Sequence, residues 1–566
     1  MILYHLRIER FRGIRHLDWH VGGRIACLVG PGDSTKTTVL DAIERVLHPG
    51  PFFQFADADF YKRDLSQPLI VEATIGELPE DLIKEDRFGL FLRGYGECRI
   101  EDEPLDGCAK ALTVRLSVDR NLEPVWEVVK EAVEGPRTIS WRDREKIGMV
   151  RLGENIDRHL TWARGSALNR LTEGDAPAGA TFVDAVRSAR DAVSDADLPG
   201  LHEAAKKAGE AALLFGAGIG DAKAGLDSIS LFLGASSLGL HADNIPVRQY
   251  GLGTRRLAAL AIQQQGVGRD QIVLIDELEH ALEPHRQRRL LRLLRTAGGT
   301  QDREAGQVIF STHSPTPIMA LDASHVRIVR SKDDGETTVT PVPTSLQDVV
   351  RGQSLAFLAK RVMVCEGKTE EGIIRGLEAW WEERHSGQSL ALLGVVHVCG
   401  GGSNAHGLAE ALHSLGFVTA LLCDTDRTTT PSSQSLMEKG IDVCEWEGKM
   451  SIEERIAQDL PVEQLQELLG LVLEEHDKTA VLNSLTSNVG TAQPTALGAD
   501  LAGWIAAGVP EADLRRAFGA AAKGGKWFKN LTAGESLGSI VAKALPEITG
   551  TSLAKTLGKL EAWVYG

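Results

Sequence analysis

Polar and apolar residues alternate over positions 2–9, the period-two pattern of a half-buried strand. Residues 25–29 form an unbroken apolar run, which suits a strand buried on both faces. A helical stretch follows over Val39, Leu40, Asp41, Ala42 and Ile43. Two further short buried runs, 271–275 and 307–310, read as strands, and Leu257 to Ile262 as an apolar helix. Between about 80 and 245 the periodicity loosens. Residues 176–236 are rich in Ala and Gly with helical patches, and no long heptad run appears. In the second half, 324–342 reads as two strands around the turn Asp333-Asp334-Gly335, and 345–360 as a helical link. Three buried runs then follow, at 361–365, 395–399 and 420–423, the first leading through a turn into a helix. The spacing predicts an α/β chain of two domains, 1–345 and 355–566. The first carries a helical insert at about 150–240. The second carries an acidic helical insert at about 440–515 and a basic segment at 515–566.

Composition narrows the class. The 566 residues are 43 % hydrophobic and 25 % charged, an ordinary globular balance. A net charge of -16 excludes a histone-like coat for nucleic acid but leaves room for a local basic channel. No apolar run approaches the roughly 18 residues of a membrane span. The charged N-terminus lacks a signal-peptide core. Seven cysteines at irregular spacing, without a C-x-x-C pair, read as reduced core thiols rather than a zinc ribbon. The expectation is a cytoplasmic protein with no membrane partner.

Gly30-Pro31-Gly32-Asp33-Ser34-Thr35-Lys36-Thr37, followed by Thr38, joins the strand at 25–29 to a helix. Strand, tight loop, Lys-Thr and helix is the setting in which backbone N–H groups and a helix N-terminus cradle phosphate. Lys36 would reach the terminal phosphates and Thr37 would ligate Mg2+. Thr35 stands where the pattern has glycine, which leaves ATP turnover open. The strand at 271–275 ends in Asp276 and Glu277, placed to hold Mg2+ and to polarise an attacking water. The strand at 307–310 leads to His313, a candidate γ-phosphate sensor. Gly251 and Gly253, opening the helix that runs through Arg256, form a second Gly-rich helix start suited to a phosphate from a facing subunit. Gln67 is a candidate Mg2+-contacting residue, with Asp59 as its rival.

These four stations in this order resemble the ABC-type ATPase heads of SMC-like and OLD proteins. Ile8-Glu9-Arg10-Phe11-Arg12-Gly13-Ile14 looks like their first strand. The resemblance implies ATP with Mg2+ sandwiched between two heads. It also implies that the insert at 150–240 dimerises them, giving a homo-oligomer, dimer or higher, through the ATPase half.

In the second half Glu366 ends the strand at 361–365, and Glu370 falls in the first turn of the next helix. Cys399 leads into the turn Gly400-Gly401-Gly402. Asp424 and Asp426, at i and i+2, end the third strand on one side of an extended chain. Hard oxygen ligands converging there suit Mg2+ or Mn2+. Residues 442–477 carry eleven acids against Lys449 and Arg455, and read as a solvated helical insert turned away from DNA. Residues 515–560 reverse that balance, and Lys523-Gly524-Gly525-Lys526-Trp527-Phe528-Lys529 combines cations with aromatics, as a phosphate-gripping loop does.

Glu366, Glu370, Asp424 and Asp426 in this setting resemble a Toprim domain, and the Glu366-Gly367-Lys368-Thr369-Glu370 form is specifically similar to OLD-family nucleases. The fold this implies is an ABC/SMC-like ATPase domain followed by a Rossmann-like Toprim domain. The activity it implies is ATP-linked DNA cleavage, with two Mg2+ or Mn2+ ions flanking the scissile phosphate. It also implies a catalytic lysine, Lys526 or Lys529 with Lys523 behind, and a role in bacterial anti-phage defence with a possible accessory protein. A topoisomerase needs a tyrosine nucleophile. Of the five tyrosines, four lie in the ATPase half and Tyr565 is penultimate, which argues against that class. A primase lacks its zinc ribbon here. The alternative function is a nucleotide-controlled DNA-binding clamp or scaffold with weak or partner-dependent nuclease activity.

Overall fold

The structure, a computed structural model, describes residues 1–152, 156–163, 166–171, 199–226, 238–266, 271–296, 306–489 and 498–566. The chain forms two compact units, Met1–Arg351 and Gly352–Gly566.

The first unit contains β1 (Ile2–Phe11), β2 (Ile14–His20), β3 (Ile25–Val29), α1 (Lys36–Val46), β4 (Leu69–Gly76), β5 (Ala109–Val118) and β6 (Met149–Leu152). It continues through α2 (Leu252–Gly266), β7 (Ile272–Ile275), β8 (Gln307–Ser311), β9 (Val326–Ser331) and β10 (Thr337–Pro341). β1 lies between β2 and β4 in an antiparallel sheet that continues to β5. Leu6 and Ile8 of β1 and Leu17 and Trp19 of β2 turn inward, while His5, Arg7, Asp18 and His20 share the outer face. The second sheet runs β6-β7-β8-β3-β9-β10, parallel except for β10, which closes the edge after the Asp333-Asp334-Gly335 turn. Its inner strands are apolar on both faces because neighbours cover both. Helix α1 buries Val39, Leu40, Ala42, Ile43 and Val46, a helical stripe in the same apolar core as β1, β3 and β4.

The expected helical insert is only partly helical. Its described residues form three helices, Ile156–His159, Ala167–Leu171 and Pro199–Leu214, and a small antiparallel sheet built from Ala222–Leu226, Leu238–Ala242 and Ile245–Pro246. Alternating small residues such as Ala222 and Ala224 conceal the strand pattern, because they carry little hydrophobic contrast. Most of the Ala- and Gly-rich stretch lies outside the described residues.

The second unit contains β11 (Arg361–Cys365), α3 (Lys368–Arg384), β12 (Val395–Cys399), α4 (Ala405–Ser414), β13 (Val418–Leu422) and β14 (Asp442–Cys444). Helices α5 (Ile452–Asp459), α6 (Val462–Glu475), α7 (Lys478–Asn488), α8 (Glu511–Gly525), α9 (Leu531–Ala544) and α10 (Ser552–Tyr565) follow. The sheet is parallel, in the order β12-β11-β13-β14.

Glycines bring two helix pairs to backbone contact. A Cβ on Gly372 of α3 would lie 2.6 Å from Gly534 Cα of α9, and one on Gly538 would lie 2.4 Å from the Ile373 carbonyl. Likewise, a Cβ on Gly519 of α8 would lie 2.8 Å from Glu454 Cα of α5. The acidic stretch packs an apolar face through Leu465, Leu468, Leu469 and Val472. All seven cysteines are free thiols. Among the described residues no helix is long and apolar enough to cross a membrane.

Candidate functional site

In the first unit the tips of β3, β7 and β8 face the start of α1. Gly30 passes under β9 so closely that a Cβ would lie 2.5 Å from the Val329 carbonyl. Asp33 and Thr35 adopt left-handed backbone, with Thr35 at φ 67° capping α1. The Thr35 methyl rests where a Cβ on Gly13 would be 3.3 Å away. Glycine at 13 thus makes room for the side chain at 35.

Lys36 is buried, and its ammonium donates to the Gly30 carbonyl (3.0 Å), the Pro31 carbonyl (2.7 Å) and Ser34 Oγ (3.0 Å). Burial pushes its pKa down to about 8, against the pull of Asp276 and Asp33. Thr37 Oγ1 donates to Asp276 Oδ1 (3.2 Å), which also accepts from Ser311 Oγ (2.5 Å). Thr38 is partly buried in the first turn of α1.

Glu277 is exposed, with φ 46° and its N–H donating to Ser311 Oγ. His313 is exposed beyond β8. Desolvation of its ring and then Lys36 hold the imidazole below its ordinary range, and the His313 backbone N–H donates to Glu279 Oε1 (2.6 Å). Gly251 precedes α2, and Gly253 passes the Ala281 carbonyl, where a Cβ would lie at 2.4 Å. A cavity of about 850 Å³ opens here, lined by Thr37, Asp41, Arg151, Leu252, Arg256 and Asp276 among others.

The sequence reading missed the arginines of this site. Arg151, from β6, donates to Asp41, to Glu44 (2.9 Å) and to Asp276 Oδ2 (3.2 Å). Arg12 bridges Asp41 and Asp59, so Asp59 belongs to this ion network. Gln67 is exposed. Arg256 donates to the carbonyls of Asp276 and Glu277, both at 2.6 Å. The signal was weak, since Arg151 stands in a loosely patterned stretch.

In the second unit the ends of β11, β12 and β13 meet. Gly400 N–H donates to the Cys365 carbonyl and Gly402 N–H to the Glu366 carbonyl, each at 2.7 Å, which folds the Gly-rich turn over the Glu366 strand end. Gly401 and Gly402 have φ 76° and 71°, so this turn requires left-handed backbone twice in succession. Glu366 Oε2 accepts the Asp424 N–H at 2.8 Å. Glu370 is 2 % exposed and accepts the Gly367 N–H at 2.8 Å. Asp424 Oδ1 accepts the Ile452 N–H at 2.9 Å, at the N-terminus of α5. Burial raises the Glu370 carboxyl well above the usual range. It raises Asp424 further, with Glu370 and Glu366 adding repulsion.

The acidic stretch, read from sequence as facing away, supplies two more carboxylates. Ser451 and Glu454 form a capping box that starts α5, which brings Glu453 and Glu454 to the strand ends. Lys529 Nζ forms an ion pair with Glu453 Oε1 at 2.9 Å. Glu453 Oε2 is buried without a hydrogen-bond partner. The Ser451-x-x-Glu454 pattern was visible in the sequence, but its acids were lost in the surrounding charge run.

The three candidate lysines separate. Lys523 Nζ donates to Asp426 Oδ2 and Glu454 Oε2, both at 3.0 Å. Lys529 stays above its ordinary pKa despite burial, drawn by Glu453, Glu370 and Asp424. Lys526 is exposed at the left-handed C-cap of α8, and its ammonium pairs with no carboxylate among the described residues. The close α3–α9 and α5–α8 contacts explain the difference: Thr369 Oγ1 donates to the Phe528 carbonyl at 2.9 Å, fixing the loop that carries Lys529.

The donors at this centre are all carboxylate oxygens, several buried together and one unsatisfied, which fits hard divalent cations.

The family described as AAA domain, putative AbiEii toxin, Type IV TA system matches residues 118–318. The family described as Overcoming lysogenization defect protein-like, TOPRIM domain matches residues 357–426. No curated protein matches. Among solved structures, the chain is similar to an Smc head domain with an extended coiled coil bound to the C-terminal domain of ScpA, derived from Pyrococcus furiosus. That match has 13 % identity and a TM-score of 0.39, over 62 % of this chain and 99 % of that one. The SMC head domain from Thermotoga maritima matches at 15 % identity with a TM-score of 0.32, over 61 % of this chain and 100 % of that one.

Proposed function

We propose that this chain, an OLD-type protein in which an ATPase domain precedes an OLD-like Toprim domain, is an ATP-linked endonuclease that hydrolyses DNA phosphodiesters. The observation that carries the reading is the carboxylate cluster of Glu366, Glu370, Asp424, Asp426 and Glu453, faced by Lys523 and Lys529. Mg2+ or Mn2+ held by these acids, two ions by the family resemblance, would supply Lewis acidity and a metal-activated water. Asp424 and Glu366 are held in register by their hydrogen bond. Lys523 and Lys529 provide fixed positive charge where negative charge grows on a phosphate in the transition state.

In the first unit the loop at 30–37 would cradle ATP phosphates, with Lys36 exchanging its loop carbonyls for phosphate oxygens. Thr37 and Asp276 would hold the nucleotide's Mg2+. Glu277 would orient water and His313 would sense the γ-phosphate. By resemblance, we extend the proposal to a homo-oligomer formed through the ATPase half and to anti-phage defence.

Plasmid cleavage tests this reading directly, with Mg2+ or Mn2+, with and without ATP, for wild type and Asp424→Ala. Metal-dependent nicking that disappears in the variant is the expected result. An intact plasmid in every wild-type lane, with DNA still bound, favours the second reading, a nucleotide-controlled clamp. Two features support that reading: the left-handed Thr35 in the loop, and Arg151 on the Asp276 carboxylate.

A further inference from the structure

On the outer face of the antiparallel sheet, away from every residue assigned above, His5 and His20 are directly paired across β1 and β2. Asp18 lies two residues before His20 and so projects from the same face. The imidazole centroids are 4.6 Å apart, and His5 Nε2 lies 2.9 Å from Asp18 Oδ1. One ligand atom from each residue lies within 4.8 Å of the others. We propose that His5, Asp18 and His20 form a binding site for a transition-metal ion of the Zn2+ class.

Three observations carry this beyond an ordinary ion pair. The first is the tautomer of His20. Tyr95 donates its hydroxyl proton to the Tyr4 carbonyl (3.4 Å) while its oxygen lies 3.3 Å from His20 Nδ1. With the hydroxyl proton on the Tyr4 side, the Tyr95 oxygen can accept from Nδ1–H, the tautomer that leaves the Nε2 lone pair of His20 available to ligate. A second-layer partner that orients the ring in this way is the usual companion of a metal-bound histidine. The Tyr95 ring is itself fixed by stacking on Tyr4, at 4.4 Å and 4°.

The second is the charge around Asp18. Its cross-strand neighbour is Arg7, but that guanidinium is engaged by Glu9 (2.5 Å) and Glu72 (3.9 Å). The Asp18 carboxylate therefore keeps lone pairs for a cation. The third is the combination of burial and access. His5 is only 7 % exposed, whereas Asp18 is exposed, so a rigid inner ligand meets an open outer side where water completes the coordination. Two imidazoles and one carboxylate suit Zn2+ or a similar ion far better than Mg2+, which separates this site from the all-oxygen centre. Small side-chain rotations that bring the three ligand separations to about 3.3 Å, widening the 2.9 Å His5–Asp18 pair and shortening the longer ones, complete the set for Zn–ligand bonds of about 2 Å.

The test uses the full chain, stripped with chelator and titrated with Zn2+ alone in the presence of excess Mg2+. Bound metal is counted by mass spectrometry and affinity is measured by calorimetry. Wild type should take up one Zn2+ equivalent that His20→Gln and Asp18→Asn lose or bind at least about tenfold more weakly. Tyr95→Phe should weaken the same equivalent by about tenfold while leaving its count at one. Zn2+ should raise the Tm of wild type but not of the two ligand variants. His20 and Asp18 are chosen because both reach the surface, and circular dichroism without metal establishes that each variant folds. Equal uptake and affinity in wild type and His20→Gln, or no Zn2+ equivalent in wild type, overturns the proposal.

Discussion

Lys523 Nζ sits 3.0 Å from Asp426 Oδ2 and 3.0 Å from Glu454 Oε2, so a helix late in the chain closes the carboxylate centre built by β13 and α5. Lys529 enters the same centre, against Glu453, whereas Lys526 between them points to solvent. Replacing each lysine by Met should therefore divide them. Lys523→Met and Lys529→Met should slow plasmid nicking by about a hundredfold, the usual scale for losing one transition-state stabiliser. Lys526→Met should leave the rate within a few-fold of wild type. A loss confined to Lys526→Met in the nicking assay contradicts the assignment.

The carboxylate centre should make stability depend on pH and, under the proposed function, on divalent ions. The folded-state pKa values of Asp424 and Glu370 are raised, so the folded chain keeps protons that the unfolded chain has released. Stability without metal therefore falls as pH rises above the ordinary carboxylate pKa of about 4. Mg2+ or Mn2+ should restore it, and Asp424→Asn should flatten the pH dependence. Thermal melts in EDTA at pH 5 and pH 8 measure this. A melting temperature that rises from pH 5 to pH 8 in EDTA removes the premise.

Thr35 and Gly13 should be coupled. The left-handed backbone at Thr35 costs on the order of 1 kcal/mol that glycine does not incur. Thr35→Gly should therefore raise stability unless the lost methyl contact offsets the gain. Gly13→Ala brings a Cβ to 3.3 Å from the Thr35 methyl, so it should be costly alone and nearly neutral beside Thr35→Gly. Denaturant melts of wild type and the three variants give the coupling energy. ATP turnover across the same set reports whether the threonine slows hydrolysis.

His397 on β12 provides a second pH handle. It lies 3.3 Å from Glu371 and 3.4 Å from Glu378 of α3. Burial opposes its charge, but these two carboxylates win and raise its pKa to about 9. The stabilisation is complete below its unfolded pKa of about 6.5 and is lost as pH rises through about 9. His397→Gln should thus destabilise the chain at pH 6 by at most about 3 kcal/mol, with the gap to wild type closing by pH 10. Urea titrations at the two pH values decide it.

Much of both centres was legible because it is local in sequence. The loop at 30–37, the acids ending β7, and the Glu366, Glu370, Asp424 and Asp426 positions each follow a short apolar strand, and a strand end fixes where its next residue points. The two α/β units follow for the same reason, since alternating strands and helices leave few topologies.

What the chain order alone left open was decided by packing between distant segments. Glu453 reads as one acid in a charge run, and only the start of α5 beneath Asp424 buries it. The choice among Lys523, Lys526 and Lys529 rests on where the glycine-lined contacts of α8 and α9 seat the loop between them. Arg151 reaches Asp276 because β6 pairs with β7, a neighbour more than a hundred residues away in sequence. The His5, Asp18 and His20 cluster exists only through the cross-strand register. Local pattern determines a residue's element and face. The approach of two elements depends on the shape complementarity of the whole core, which no single segment encodes.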